Sequence, residues 1–146
     1  MVDQLLIERI LNDLRTFTSE LRAVQDTSYD EFCKNIQLRR FIERTLHIAI
    51  EAVIDISQHI IADEGWREAE SYRDTFTVLH EHGVVSDELL SKLHNMAAFR
   101  NLLVHYYEKI DDGILFGILK RNLTDFEEFE RQIYSFVTTQ PTQQTQ

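Results

Sequence analysis

Arg100, Asn101 and His105 interrupt an otherwise apolar stretch, Phe99-Arg100-Asn101-Leu102-Leu103-Val104-His105-Tyr106-Tyr107. A histidine near its ordinary pKa of about 6.5 both takes and gives a proton at neutral pH, which suits His105 to acid–base work. The planar fork of Arg100 suits the oxygens of a phosphate group, and Asn101 is placed to orient the His105 ring or to touch the same anion. The run from Leu89 to Tyr107 has no Gly or Pro and carries Leu89, Leu90, Leu93, Met96, Ala97, Leu103 and Val104 near helical spacing, so it reads as a helix with a buried face. On that helix Asn101 and His105, four apart, are neighbours, while Arg100 lies about 100° around from Asn101 and is long enough to reach back. The same residues have a plainer reading, with Arg100 in a core-edge salt bridge to Glu43 or Glu51 and His105 hydrogen-bonded locally. The residue types alone leave both readings open.

The spacing R-x-x-x-x-H-x-Y, filled by Arg100, His105 and Tyr107 and preceded by Phe99, resembles the signature of HEPN-domain ribonuclease toxins, the toxin half of HEPN/MNT toxin–antitoxin pairs. The likeness extends to Arg39-Arg40-Phe41-Ile42-Glu43-Arg44, to His47-Ile48-Ala49-Ile50-Glu51-Ala52, to the turn His82-Gly83-Val84-Val85-Ser86, and to Glu108-Lys109-Ile110-Asp111. It implies an all-α, HEPN-like antiparallel bundle of about five helices, and a homodimer in which paired Arg100 and His105 meet across the twofold. It also implies an endoribonuclease acting on transfer or messenger RNA. RNA carries its own nucleophile, the 2′-hydroxyl, so His105 would serve as general acid and base and Arg100 would stabilise the charge at phosphorus. No metal or cofactor is expected, and the products would be a 2′,3′-cyclic phosphate and a 5′-hydroxyl. The resemblance further implies that Tyr107 receives AMP groups from a partner nucleotidyltransferase antitoxin of the MNT type. Phosphate charge added beside Arg100 would then block substrate phosphate, although an interfacial core tyrosine is the ordinary reading of that position. HEPN folds include members that do not cut RNA, so two alternatives stand: a noncatalytic subunit that presents nucleotide or substrate to a nucleotidyltransferase, and a purely structural dimeric bundle.

The supporting residues are read in the same double way. Glu51 lies within an apolar helical run, where an unpaired carboxylate would be costly, so it either forms a plain salt bridge or positions Arg100. Arg39, Arg40 and Arg44 are candidate RNA-contacting residues in a small positive patch, yet paired arginines on helices are commonly solvated or salt-bridged. His47, His59, His80, His82 and His94 are scattered without metal-ligand spacing, and His94, seven before Asn101, is a further candidate for the same cleft.

Around this segment stand 146 residues with 15 Lys plus Arg against 25 Asp plus Glu, a net charge of −10. Such acidity argues against broad adhesion to nucleic acid and suits a basic protein partner. The single cysteine, Cys33, excludes an intrachain disulfide and a zinc quartet. No apolar run approaches about 20 residues, and the amphipathic amino terminus lacks the form of a signal peptide. The expectation is a soluble cytoplasmic protein with no membrane contact.

In chain order the spacing predicts a helix over about 3–24, a capping box at Ser28-Tyr29-Asp30-Glu31 with a short helical turn, and a long central helix over 36–61. A loop follows, with Trp66 folded against the end of the bundle. Next come a short helix from about Ser71 to His82-Gly83, the motif helix from Ser86 or Asp87, and one closing helix after Asp111-Asp112-Gly113. One domain over 1–137 and a disordered Thr/Gln-rich tail over 138–146 complete the reading.

Overall fold

The computed structural model describes residues 1–105 and 110–139, the His105 side chain excepted. Those residues form seven helices and no strand: α1 (Gln4–Ala23), α2 (Tyr29–Lys34), α3 (Ile36–Glu64), α4 (Tyr72–Glu81), α5 (Asp87–His105), α6 (Asp112–Arg121) and α7 (Leu123–Thr139). The class is all-α, as expected. The count exceeds five because the turn after Ser28 is a helix of its own and the closing segment divides at Asn122. There the Asn122 side chain bonds to Asp125 Oδ2 at 3.0 Å and its carbonyl accepts from the Asp125 amide at 3.1 Å. The Asn122 amide still closes the last turn of α6 on the Ile118 carbonyl, while its side chain is tied to the first turn of α7. α7 runs through Thr139, two residues beyond the expected domain boundary, and the rest of the expected tail, 140–146, lies outside the described residues.

α3 is the axis of the bundle, and α1, α2, α4, α5 and α7 all pack on it. Ile42, Leu46, Ala49, Ile50, Val53, Ile56 and Ile60 are buried along it, a stripe wide enough to meet neighbours on more than one side. By length and composition it is also the one described helix that could cross a membrane, but most of its apolar window is buried within the bundle. α3 begins where Asn35 Oδ1 accepts the Leu38 amide at 3.0 Å and ends at Gly65, whose φ of +70° is the left-handed cap open to glycine. α1 lays Ile7, Leu11, Leu14 and Leu21 into the core, whereas Leu5 falls off that stripe and is 80% exposed. The expected capping box is half formed. Ser28 Oγ accepts the Glu31 amide at 3.1 Å, but the Glu31 carboxylate accepts from the Asn35 side chain instead of turning back.

The motif helix α5 is fixed at its start by a reciprocal pair with α7. The Ser86 amide donates to Gln132 Oε1 at 2.8 Å and Gln132 Nε2 donates to Ser86 Oγ at 3.1 Å, while Ser86 Oγ caps the Leu89 amide. Leu89, Leu93, Met96, Ala97 and Phe99 are buried beneath it. Ala98, Asn101 and Val104, three residues apart, stay exposed, so Val104 belongs to the outer stripe and not to the buried face expected for it.

Candidate active site

Arg100 leaves α5 at the edge of the core and crosses to α3, where its Nε donates to Glu51 Oε2 at 2.8 Å. Its guanidinium carbon stands 4.4 Å from the centre of the Tyr72 ring, at the first residue of α4. Three helices therefore hold one cation. The Arg100 side chain is 15% exposed and that of Glu51 40% exposed, so the ion pair belongs to the modest range of about 0.2–1 kcal/mol. The ring contact adds roughly 0.5–2 kcal/mol. Together these offset the ~2 kcal/mol of rotamer freedom that an arginine loses when fixed. The result is a preplaced guanidinium and not a stability device.

Of the two acidic partners considered for Arg100, Glu51 is the one it meets; Glu43 bonds to Arg39. The same Glu51 Oε2 lies 3.5 Å from Nε2 of His47, one helical turn earlier. His47 and Tyr72 are the two residues of this cluster that sequence reasoning missed. The i, i+4 spacing of His47 and Glu51 carried a visible signal; Tyr72 carried none, because only the docking of α4 on α5 brings it there.

Asn101, the next residue on α5, is exposed and lines a cleft of about 610 Å³ that also takes in Tyr72, Trp66 and Gln58. Arg67, in the loop whose Trp66, Glu68 and Glu70 line the cleft, bridges Asp74 through two bonds of 2.8 Å and Glu81 through bonds of 3.0 and 2.9 Å. The hydrogen bonds from Arg67 and from the Glu70 amide hold the Asp74 carboxyl at about 2 instead of 3.8.

The basic residues separate. Arg40 and Arg44 are exposed on the first half of α3. Arg39, expected beside them as an RNA contact, is 5% exposed, and its guanidinium is taken up internally by Asp112, by Glu43 at 3.1 Å and by the Ile110 carbonyl at 2.6 Å. It fastens the start of α6 to α3 and offers nothing to a phosphate. His94 sits under α4, with Nε2 3.0 Å from Thr77 Oγ1, and does not line the cleft. Burial, and secondarily the charge of Arg73, push its pKa down. The His105 backbone closes α5, but the His105 ring and Tyr107, with the roles expected of them, lie outside the described residues.

The fold is that of a solved HEPN toxin. The chain superposes with a TM-score of 0.81 and 26% identity on the tri-AMPylated HEPN toxin of Shewanella oneidensis, solved in complex with its MNT antitoxin, over 92% of this chain and 99% of that one. Residues 7–133 match the model of the ribonuclease HepT-like family, and the chain belongs to that family. By sequence it is 29% identical to the mRNA nuclease HepT of Shewanella oneidensis over 122 residues, 82% of this chain and 92% of that protein. It is 25% identical to the tRNA nuclease HepT of Aphanizomenon flos-aquae over 138 residues, 94% of each.

Proposed function

We propose that this chain is the endoribonuclease toxin of a toxin–antitoxin pair, cutting RNA by attack of the substrate 2′-hydroxyl without a metal ion. The observation that carries the reading is the attitude of Arg100. Among the described residues Glu51 takes its Nε and Tyr72 covers its ring-facing side, so within that set the terminal nitrogens are the part of the fork left for a phosphate oxygen. His105, a turn and a half along α5, takes the proton from the 2′-hydroxyl and returns one to the leaving 5′-oxygen. Asn101 orients that ring or the phosphate. Two copies pair so that each contributes an Arg100 and a His105; the exposed Ala98 and Val104 on α5 fit a second copy beside that site. Arg40 and Arg44 guide the RNA backbone. The partner is an MNT-type nucleotidyltransferase that places AMP on Tyr107, putting negative charge where Arg100 must receive phosphate. The lone, exposed Cys33 fits a reducing cytoplasm.

The test is incubation of the protein, its mass checked so that Tyr107 is known to be unmodified, with total RNA in excess EDTA, beside Arg100→Ala and His105→Ala. Cleavage by the parent alone, leaving 2′,3′-cyclic phosphate and 5′-hydroxyl ends, is the expected result. Intact RNA in every lane, across several RNA classes, would overturn the reading in favour of a noncatalytic subunit that presents nucleotide or substrate to the nucleotidyltransferase.

A further inference from the structure

We infer that the cleft beside Asn101 is the seat of one unstacked nucleobase of single-stranded RNA, the base next to the phosphate held by Arg100; this rests on the nuclease reading above. The cleft has the two kinds of group that base recognition needs. Two aromatic side chains, Trp66 and Tyr72, line it, and two side-chain amides, Gln58 and Asn101, offer both donors and acceptors. The indole plane is preset: the Trp66 ring lies parallel to that of His82 at a tilt of 1°, with centroids 3.9 Å apart.

Charge decides against a phosphate in the same place. Glu68 and Glu70 border the cleft against a single cation, Arg73, and the groove on the other side of Tyr72 is lined by Asp13, Glu51 and Asp55. A polyanion is turned away from both hollows, whereas a neutral base with amino or imino donors finds acceptors there. Proximity completes the argument. Tyr72 carries the Arg100 guanidinium on its ring and is itself a wall of the cleft, so a phosphate at Arg100 brings the neighbouring base to the entrance. An acidic protein without a broad basic face thereby gains a local foothold on RNA through stacking, which every base supplies.

Trp66 is the single tryptophan of the chain, so its emission reports on the cleft directly. Titration with short 2′-deoxy oligonucleotides, which lack the attacking hydroxyl and cannot be cut by the proposed route, should change that emission saturably, and an abasic oligonucleotide should not. In a cleaved RNA, removing the base next to the cut should lower kcat/KM roughly 5- to 150-fold, the range of one lost stack. Gln58→Ala, an exposed substitution on α3, should alter the preference among the four bases at that position while leaving the fold intact. An emission change with no RNA cut would uphold the base seat and overturn only the nuclease reading. Cleavage that is indifferent to the abasic substitution, with emission unmoved by any oligonucleotide, would overturn the base seat and leave the nuclease reading standing.

Discussion

At the scale of single residues the site turns on how Arg100 is held. Its Nε bond to Glu51 needs an acceptor and not a charge, and its contact with Tyr72 needs a ring face and not a hydroxyl. Glu51→Gln and Tyr72→Phe are therefore expected to keep kcat within about threefold. Glu51→Ala and Tyr72→Leu, which free the guanidinium, should lower it about tenfold or more, since misplacement near 1 Å can cost about 100-fold. Steady-state kinetics on one defined RNA, with circular dichroism to confirm the fold, separates the two classes. Equal losses for the conservative and the disruptive member of each pair would show that orientation is not what these residues supply.

At the scale of elements two polar ties are under test. Arg39 joins α3 to the start of α6 and to the Ile110 carbonyl. Arg39→Ala leaves the buried Ile110 carbonyl without that donor and removes two part-exposed ion pairs, and should cost about 2 kcal/mol, read from the urea midpoint. The loop between α3 and α4 depends on Arg67. Because Asp74 is held at about 2 against an ordinary 3.8, its contribution is complete above the ordinary value and is lost as the pH falls from 3.8 toward 2. Glu81, also lowered by Arg67, acts in the same direction. Trp66, one residue from Arg67, should report an emission transition in that window, and Asp74→Asn should abolish most of it. These ties also mark what sequence could show. Whereas α3 runs on to Glu64, three residues past its expected end, and is closed by Gly65, helix boundaries were legible from capping residues and 3.6-residue spacing at Ser28, Ser71 and Ser86. The division at Asn122 was not, because an isolated asparagine between helix formers is a weak signal that tertiary packing decides. The burial of Arg39 was hidden for a related reason: its neighbour Arg40 is exposed, and only the return of α6 distinguishes them. The Arg100–Glu51 pair was foreseen as one of two options. The cleft was not, since its walls come from three parts of the chain.

At the scale of the whole molecule the net charge of −10 sets how RNA is engaged. A body that repels a polyanion and meets it at few points should show a shallow dependence of RNA affinity on salt. Each of Arg40 and Arg44 that touches a phosphate adds about 0.7 to the slope of log K against log salt for a single strand. Arg40→Gln and Arg44→Gln should each remove about that amount, measured by binding of an uncleavable RNA over a salt series. A slope unchanged by both would place the backbone path elsewhere on the surface.

The fastening of Arg67 to Asp74 and Glu81 has a consequence for how such a protein can change its target. Gly65 closes α3 and Ser71 opens α4, so the loop between them is tied at both ends and clamped in the middle by a cation whose partners both lie on α4. Glu68 and Glu70 are exposed and face the cleft, so exchanging their side chains should loosen neither helix, whereas Ala69 also packs against the core. If the cleft seats a base as proposed, changes at Glu68 and Glu70 should shift target preference without touching Arg100 or its partners. Transplanting positions 68 and 70 between relatives that cut different RNAs is then expected to move a preference from one to the other.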